Sequence, residues 1–237
     1  VGSAKVLGIN LSPNFLRPYF SSSVREFCTR WHVSLYAWFR DYIFQPLVEL
    51  LSQFFKKRVF HGVIGSKWIL AVTIIVTTIV YGAWHGKFNF LIWGLIFGTY
   101  LVVESLLNDC IKRHYRISII LKGSIPGRVL GRVMTMSLVT FAWIFFRAEE
   151  TGSAMSIIGR IFTFNGSLYL DTSTILYGLT GLSILFFVEA YREFKKSFHL
   201  PFKTINRLTE IFLYSALSII ILLIGVLDGA NFIYSRF

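Results

Sequence analysis

Apolar residues are concentrated in five runs along this chain, Trp68 to Trp84, Phe88 to Leu107, Val129 to Phe146, Ile175 to Tyr191 and Ile211 to Leu227. Short polar or basic stretches separate them. A helix that crosses a bilayer needs ~20 mainly apolar residues. The pattern predicts transmembrane helices over 68–84, 88–107, 129–146, 175–191 and 211–227 within 68–237, and hence an all-α, polytopic membrane fold that forms a single membrane domain over 1–237.

Residues 1–67 follow a different rhythm. In "RWHVSLYAWFRDYIFQPL" the bulky residues Trp31, Leu35, Trp38, Phe39 and Tyr42 recur at the spacing of one helical face, and His32, Tyr36 and Arg40 recur on another. Arg40, Asp41 and Glu49 are out of place in a lipid-exposed span. Pro46 removes a backbone donor and crowds the preceding turn, so the helix is expected to kink or end there. The region reads as an amphipathic or re-entrant helical segment at the membrane interface. Arg40 and Asp41, as neighbours on a helix, point about 100° apart and are expected to satisfy different partners.

Composition agrees with a membrane protein: 54% of the residues are hydrophobic and 15% charged, where a soluble domain has about a quarter charged. The formal charge of +12 raises the question of nucleic acid, which needs the basic residues gathered on one soluble face. They are distributed otherwise. Loops 53–67, 108–128 and 192–208 carry fourteen Lys and Arg, whereas the alternate loops carry four. The bias of Lys and Arg towards cytoplasmic loops places the three basic loops in the cytoplasm. His85, in the turn after the first run, then faces the extracytoplasmic side of the cell membrane, and the charge is topological.

Several classes lose support. Cys28 and Cys110 are too few for a disulfide framework and match no metal spacing, and both are expected as buried small apolar residues. Neither a glycine-rich phosphate loop nor a GxSxG elbow occurs, against a nucleotide enzyme or a serine hydrolase. Val1 to Phe15 lacks the pattern of a signal peptide, and the chain reads as part of a longer one. Gly94 and Gly98, four residues apart, suit close helix packing.

Five histidines remain. His61, His114 and His199 lie in basic loops and suit a solvated or headgroup-facing role. His32 and His85 each follow a tryptophan and border apolar sequence. Two readings stand for them: an interfacial histidine hydrogen-bonded to a neighbouring helix, or a group that moves protons, for which imidazole is well matched near neutral pH. Separated by 53 residues, they form no local metal motif, and two histidines alone leave a metal under-ligated. No metal site is expected.

Taken in order, Arg30-Trp31-His32, Ser34-Leu35, Trp38, Arg40-Asp41, Trp84-His85-Gly86, Asn89-Phe90, Trp93-Gly94, "FAWIFFRAEE" and "ANFIYSRF" resemble the membrane-bound O-acyltransferase family. Within it the bacterial polysaccharide O-acetyltransferases (alginate O-acetylation type) and teichoic-acid D-alanyl transfer proteins are most similar. The chain corresponds to the C-terminal half of the usual length. Two departures, Cys28 in place of an aromatic residue and Val48-Glu49 in place of a glycine pair, bear on the acceptor and leave the histidines untouched.

The resemblance implies a membrane-bound acyltransferase, with His85 as the catalytic histidine and His32 as a second histidine of the same cavity. Trp31, Trp84, Asn89, Arg40 and Asp41 are the implied substrate-binding or supporting residues. The implied donor is acetyl-CoA or an acyl-carrier thioester on the cytoplasmic side. The acceptor is a hydroxyl of an exported polysaccharide or cell-wall polymer, and an extracytoplasmic acyltransferase is a possible partner. D-alanyl transfer to teichoic acid is the alternative within the family. A non-enzymatic polytopic component of a polysaccharide export complex is the alternative outside it.

Overall fold

The computed structural model describes residues 2–56, 63–113, 124–163, 171–194 and 206–224, and every regular element among them is helical. The chain is an all-α membrane protein. After a short α1 (Gly2–Val6) and a single 3-10 turn at Pro18–Phe20, α2 runs Val24–Arg30, α3 Val33–Phe39 and α4 Gln45–Lys56. The longer helices are α5 (Val63–Ala83), α6 (Phe88–Arg113), α7 (Ile125–Arg147), α8 (Thr151–Thr163), α9 (Thr172–Phe194) and α10 (Arg207–Ile224). Three stretches, Phe88–Ile111, Ile125–Arg147 and Thr172–Phe194, are long and apolar enough to cross a membrane, and Lys67–Ala83 is a shorter apolar helix. Residues 1–189 form one unit and residues 190–237 another, whose described part is the end of α9 and the apolar α10.

The centre of the first unit is the hairpin of α5 and α6. A Cβ on Gly94 would collide with the Thr78 carbonyl, and one on Gly82 with the Phe90 carbonyl, so the two helices meet backbone to backbone only because these positions are glycine. Lys67 Nζ and Asp109 Oδ2 pair at 2.8 Å near the far end of the hairpin. Around this hairpin α2 and α7 close the core, which holds Val24, Phe27, Trp93, Phe97, Val139, Ala142, Phe145 and Ala154. Glu104 on α6 anchors α2 by accepting from the backbone N–H of Arg25 at 3.0 Å, in the first turn where helix N–H groups lack partners. At the same end the Ser23 side chain accepts from the Glu26 N–H, and Glu26 accepts in return from the Ser22 N–H.

The N-terminal region departs from the single helix that its pattern predicts. The helix breaks at Trp31 and His32, where His32 takes a left-handed backbone (φ 48°). The break is made by a distant segment: Leu16 N–H donates to the Arg30 carbonyl at 2.9 Å, and Val33 N–H donates to the Asn14 carbonyl at 2.9 Å. Phe39 is buried, but Trp38 and Tyr42, expected on the same bulky face, are exposed. Pro46 neither ends the helix nor leaves it regular. Residues Arg40–Phe44 form one π turn, with the Gln45 N–H donating to the Arg40 carbonyl, and the wider turn accommodates the proline. The cysteine expectation divides: Cys28 packs against the core, whereas Cys110 is exposed.

Candidate functional site

α5 ends at Ala83, and a four-residue turn connects it to α6. The His85 N–H donates to the Gly82 carbonyl at 3.0 Å and the Gly86 N–H to the Ala83 carbonyl at 2.9 Å. Gly86 adopts φ 80°, a conformation glycine takes without strain, and closes the turn as a helix C-terminal glycine. Within the turn, neighbouring side chains part company: Trp84 is 59% exposed and His85 only 5%.

The imidazole of His85 sits in a box of rings from three helices. Its centroid lies 6.0 Å from Tyr81 and 5.0 Å from Trp84, 4.9 Å from Phe90 and 6.0 Å from Trp93, and 5.3 Å from Phe146. Burial among these rings, and then the nearby charge of His32, hold its pKa below the ordinary imidazole value. The neutral, proton-accepting form is therefore favoured. His32 comes from the break between α2 and α3, half-buried beside Phe15 (6.0 Å between centroids), and its buried Nδ1 meets no hydrogen-bond partner among the described residues. The structure thus brings the two histidines, 53 positions apart in sequence, within electrostatic reach of each other.

The other expected site residues divide. Trp31 is stacked on Phe27 (5.5 Å) and packed against Trp143 (5.4 Å), in the wall of an apolar cavity of about 230 Å³. The cavity lies between α2, α3, α5 and α6, and Tyr36, Arg40, Thr77, Tyr81 and Trp93 also line it. Tyr81 and Trp93 belong both to this cavity and to the box around His85. Asn89 has both ends of its amide engaged away from His85, donating to the Ala148 carbonyl at 2.9 Å and accepting from the Thr151 hydroxyl at 2.6 Å. It pins the α7–α8 connection. Arg40 and Asp41 do not seek different partners: Arg40 Nε donates to Asp41 Oδ1 at 2.6 Å, and a second bond from the guanidinium to Oδ2 is 3.1 Å. The arginine side chain is long enough to fold back on its neighbour in the π turn. That pair holds the Asp41 carboxyl below the usual range, and both groups are exposed.

Two groups that the sequence reading passes over complete the cavity. Thr77 Oγ1 and Trp93 Nε1 are buried and meet no hydrogen-bond partner among the described residues. An unmet buried polar group costs about 1–3 kcal/mol, so each asks for an explanation. The signal for Thr77 was its place in an otherwise apolar run, "IIVTTIVYGAWH". Cys28 also borders the cavity, but burial, with the Glu104 charge next, pushes its thiol up to about 12. Such a thiol stays protonated and is no nucleophile. Among the described residues, no group of three or more His, Cys, Asp or Glu could hold a metal ion.

No family model matches the chain. Individual relatives do. The chain is 31% identical over 192 residues to a probable alginate O-acetylase of Azotobacter vinelandii, covering 81% of the chain and 33% of that protein. It is 26% identical over 168 residues to a peptidoglycan O-acetyltransferase of Helicobacter pylori, covering 70% and 28%. A teichoic acid D-alanyltransferase of Bacillus subtilis matches over 156 residues at 28% identity, covering 63% and 35%. The matched stretch spans about a third of the length of these curated relatives. With this agreement over four-fifths of its own length, the chain belongs to the membrane-bound O-acyltransferase family.

Proposed function

We propose that this chain carries the histidine centre of a membrane-bound O-acyltransferase, which moves an acyl group, most simply acetyl, from a thioester to hydroxyls of an exported polysaccharide or cell-wall polymer. The observation that carries the reading is the burial of His85 in a ring-lined box, with His32 in electrostatic reach and an apolar cavity one aromatic layer away.

The chemistry follows from that environment. A polymer hydroxyl is a weak nucleophile until its proton is taken as the oxygen attacks. Neutral His85 accepts that proton while the new C–O bond forms at the thioester carbonyl. The C–S bond then breaks, and the proton passes from the imidazolium to the departing thiolate. His32, with its left-handed backbone and unmet Nδ1, is suited to orient the acyl group or polarise its carbonyl, where a preorganised donor is worth a few kcal/mol. A direct transfer needs no protein nucleophile, in keeping with the protonated Cys28 thiol. Trp31 and Trp84 frame the two ends of the site, Arg40 lines the cavity with Asp41 paired to it, and Asn89 supports the site from outside.

The donor, acetyl-CoA or an acyl-carrier thioester, approaches from the cytoplasm. The acceptor is met on the extracytoplasmic side of the inner membrane, and relay through an extracytoplasmic acyltransferase partner is the alternative to direct transfer. This arrangement is argued from the loop charges and the three relatives. Its test is chemical: mild base should release acetate from surface polymers of cells that express the whole protein and none above background from cells that lack it. Release of alanine instead would move the assignment to D-alanyl transfer, and release of neither would refute an acyltransferase.

A further inference from the structure

α5 carries three threonines along its apolar course, and they are satisfied differently. The Thr73 hydroxyl donates to the Ile69 carbonyl at 2.7 Å and the Thr78 hydroxyl to the Ile74 carbonyl at 3.0 Å, the ordinary resolution for a hydroxyl in an apolar helix. Thr77 makes no such bond. It lines the cavity at 9% exposure, and its Oγ1 has no partner among the described residues. On the facing helix α6, Trp93 lines the same cavity at 8% exposure with Nε1 in the same state. An indole N–H only donates, so whatever satisfies it must be an acceptor.

Charge narrows the class. The charged side chains lining the cavity are Arg25 and Arg40, and each already faces a carboxylate, Glu104 and Asp41 respectively. No uncommitted carboxylate lines it among the described residues to receive a cationic group. An ammonium could rest against the aromatic faces but would leave the indole N–H unmet. A neutral carbonyl oxygen is an acceptor of the kind both donors need.

We propose that Thr77 and Trp93 donate hydrogen bonds to the carbonyl oxygen of an acyl thioester seated in this cavity, and so hold its carbonyl carbon at the wall of Tyr81 and Trp93 that the cavity shares with the box around His85. The inference rests on the acyltransferase reading above. In the step it serves, the acceptor oxygen bonds to the carbonyl carbon, the C–S bond breaks, and the acceptor's proton travels through His85 to the thiolate.

The test compares Thr77→Val, which keeps the shape and removes the hydroxyl, with Thr77→Ser, which restores it, and adds Trp93→Phe. Membranes carrying the whole protein receive acetyl-CoA as the donor probe, and ester-linked acetate on the polymer is measured at equal protein levels. Thr77→Val and Trp93→Phe should each lower kcat/KM roughly three- to tenfold, the value of one hydrogen bond, and Thr77→Ser should recover most of the loss. Equal kcat/KM for the Val and Ser variants, with His85→Ala inactive, would overturn this proposal and leave the acyltransferase reading standing. Wild-type membranes that transfer no acyl group to the polymer under the same conditions would remove the reading and the inference together. The Val and Ser comparison decides the matter even where Trp93→Phe reduces the yield of folded protein.

Discussion

At the scale of single residues, the environment of His85 sets what it can do. An imidazole 5% exposed among five aromatic rings is hard to charge, and a second imidazole nearby makes it harder. The sign follows directly. In the proposed mechanism activity needs the neutral base, and the folded-state pKa is held below the ordinary value of about 6.5, so the acid limb of a kcat/KM profile should lie below pH 6.5. His32→Gln removes the smaller of the two causes while burial remains. The limb should then move upward towards pH 6.5, whatever happens to the rate plateau. An unmoved limb would separate the two histidines electrostatically.

The two histidines stand out in the sequence because each interrupts apolar residues after a tryptophan, and the fold brings them within electrostatic reach. Arg40 and Asp41 point apart by side-chain direction alone, but a long guanidinium can turn back on the next residue, and here it does. Thr77 and Trp93 stayed hidden for another reason. Their unmet groups become visible only when α5 and α6 are folded against each other.

At the scale of elements, the helices were the readable part and their interruptions were not. Long apolar runs dictate helices because the bilayer leaves backbone groups no other partners. The left-handed break at His32 is imposed by Asn14 and Leu16, through hydrogen bonds that no local pattern announces. Pro46 did announce a disturbance, but its resolution as a π turn depends on the helix being held on both sides. Asn89 shows how an element can serve the site indirectly, by clamping the α7–α8 connection beneath Phe146. Replacing it with alanine leaves the Ala148 carbonyl and the Thr151 hydroxyl without their partner. The expected result is a loss of about 1–3 kcal/mol, read as a lower melting temperature of the detergent-solubilised protein. A melting temperature equal to wild type would show that the clamp adds nothing.

At the scale of the whole molecule, orientation in the membrane decides which side supplies the acceptor. Fourteen Lys and Arg in the basic loops against four in the alternate ones are the ground for proposing that the α5–α6 turn faces the extracytoplasmic side. In a Cys28→Ser, Cys110→Ser background, a cysteine at Lys87 should react with a membrane-impermeant thiol reagent in intact cells. One at Arg128 should react only after permeabilisation, and the reverse result would invert the site.

The central claim is that His85 takes the proton during acyl transfer, and its most direct measurement is the ester-linked acyl content of surface polymers in cells expressing His85→Ala at wild-type protein levels. The account predicts a fall to the level of cells lacking the protein. Acylation at the wild-type rate would contradict it.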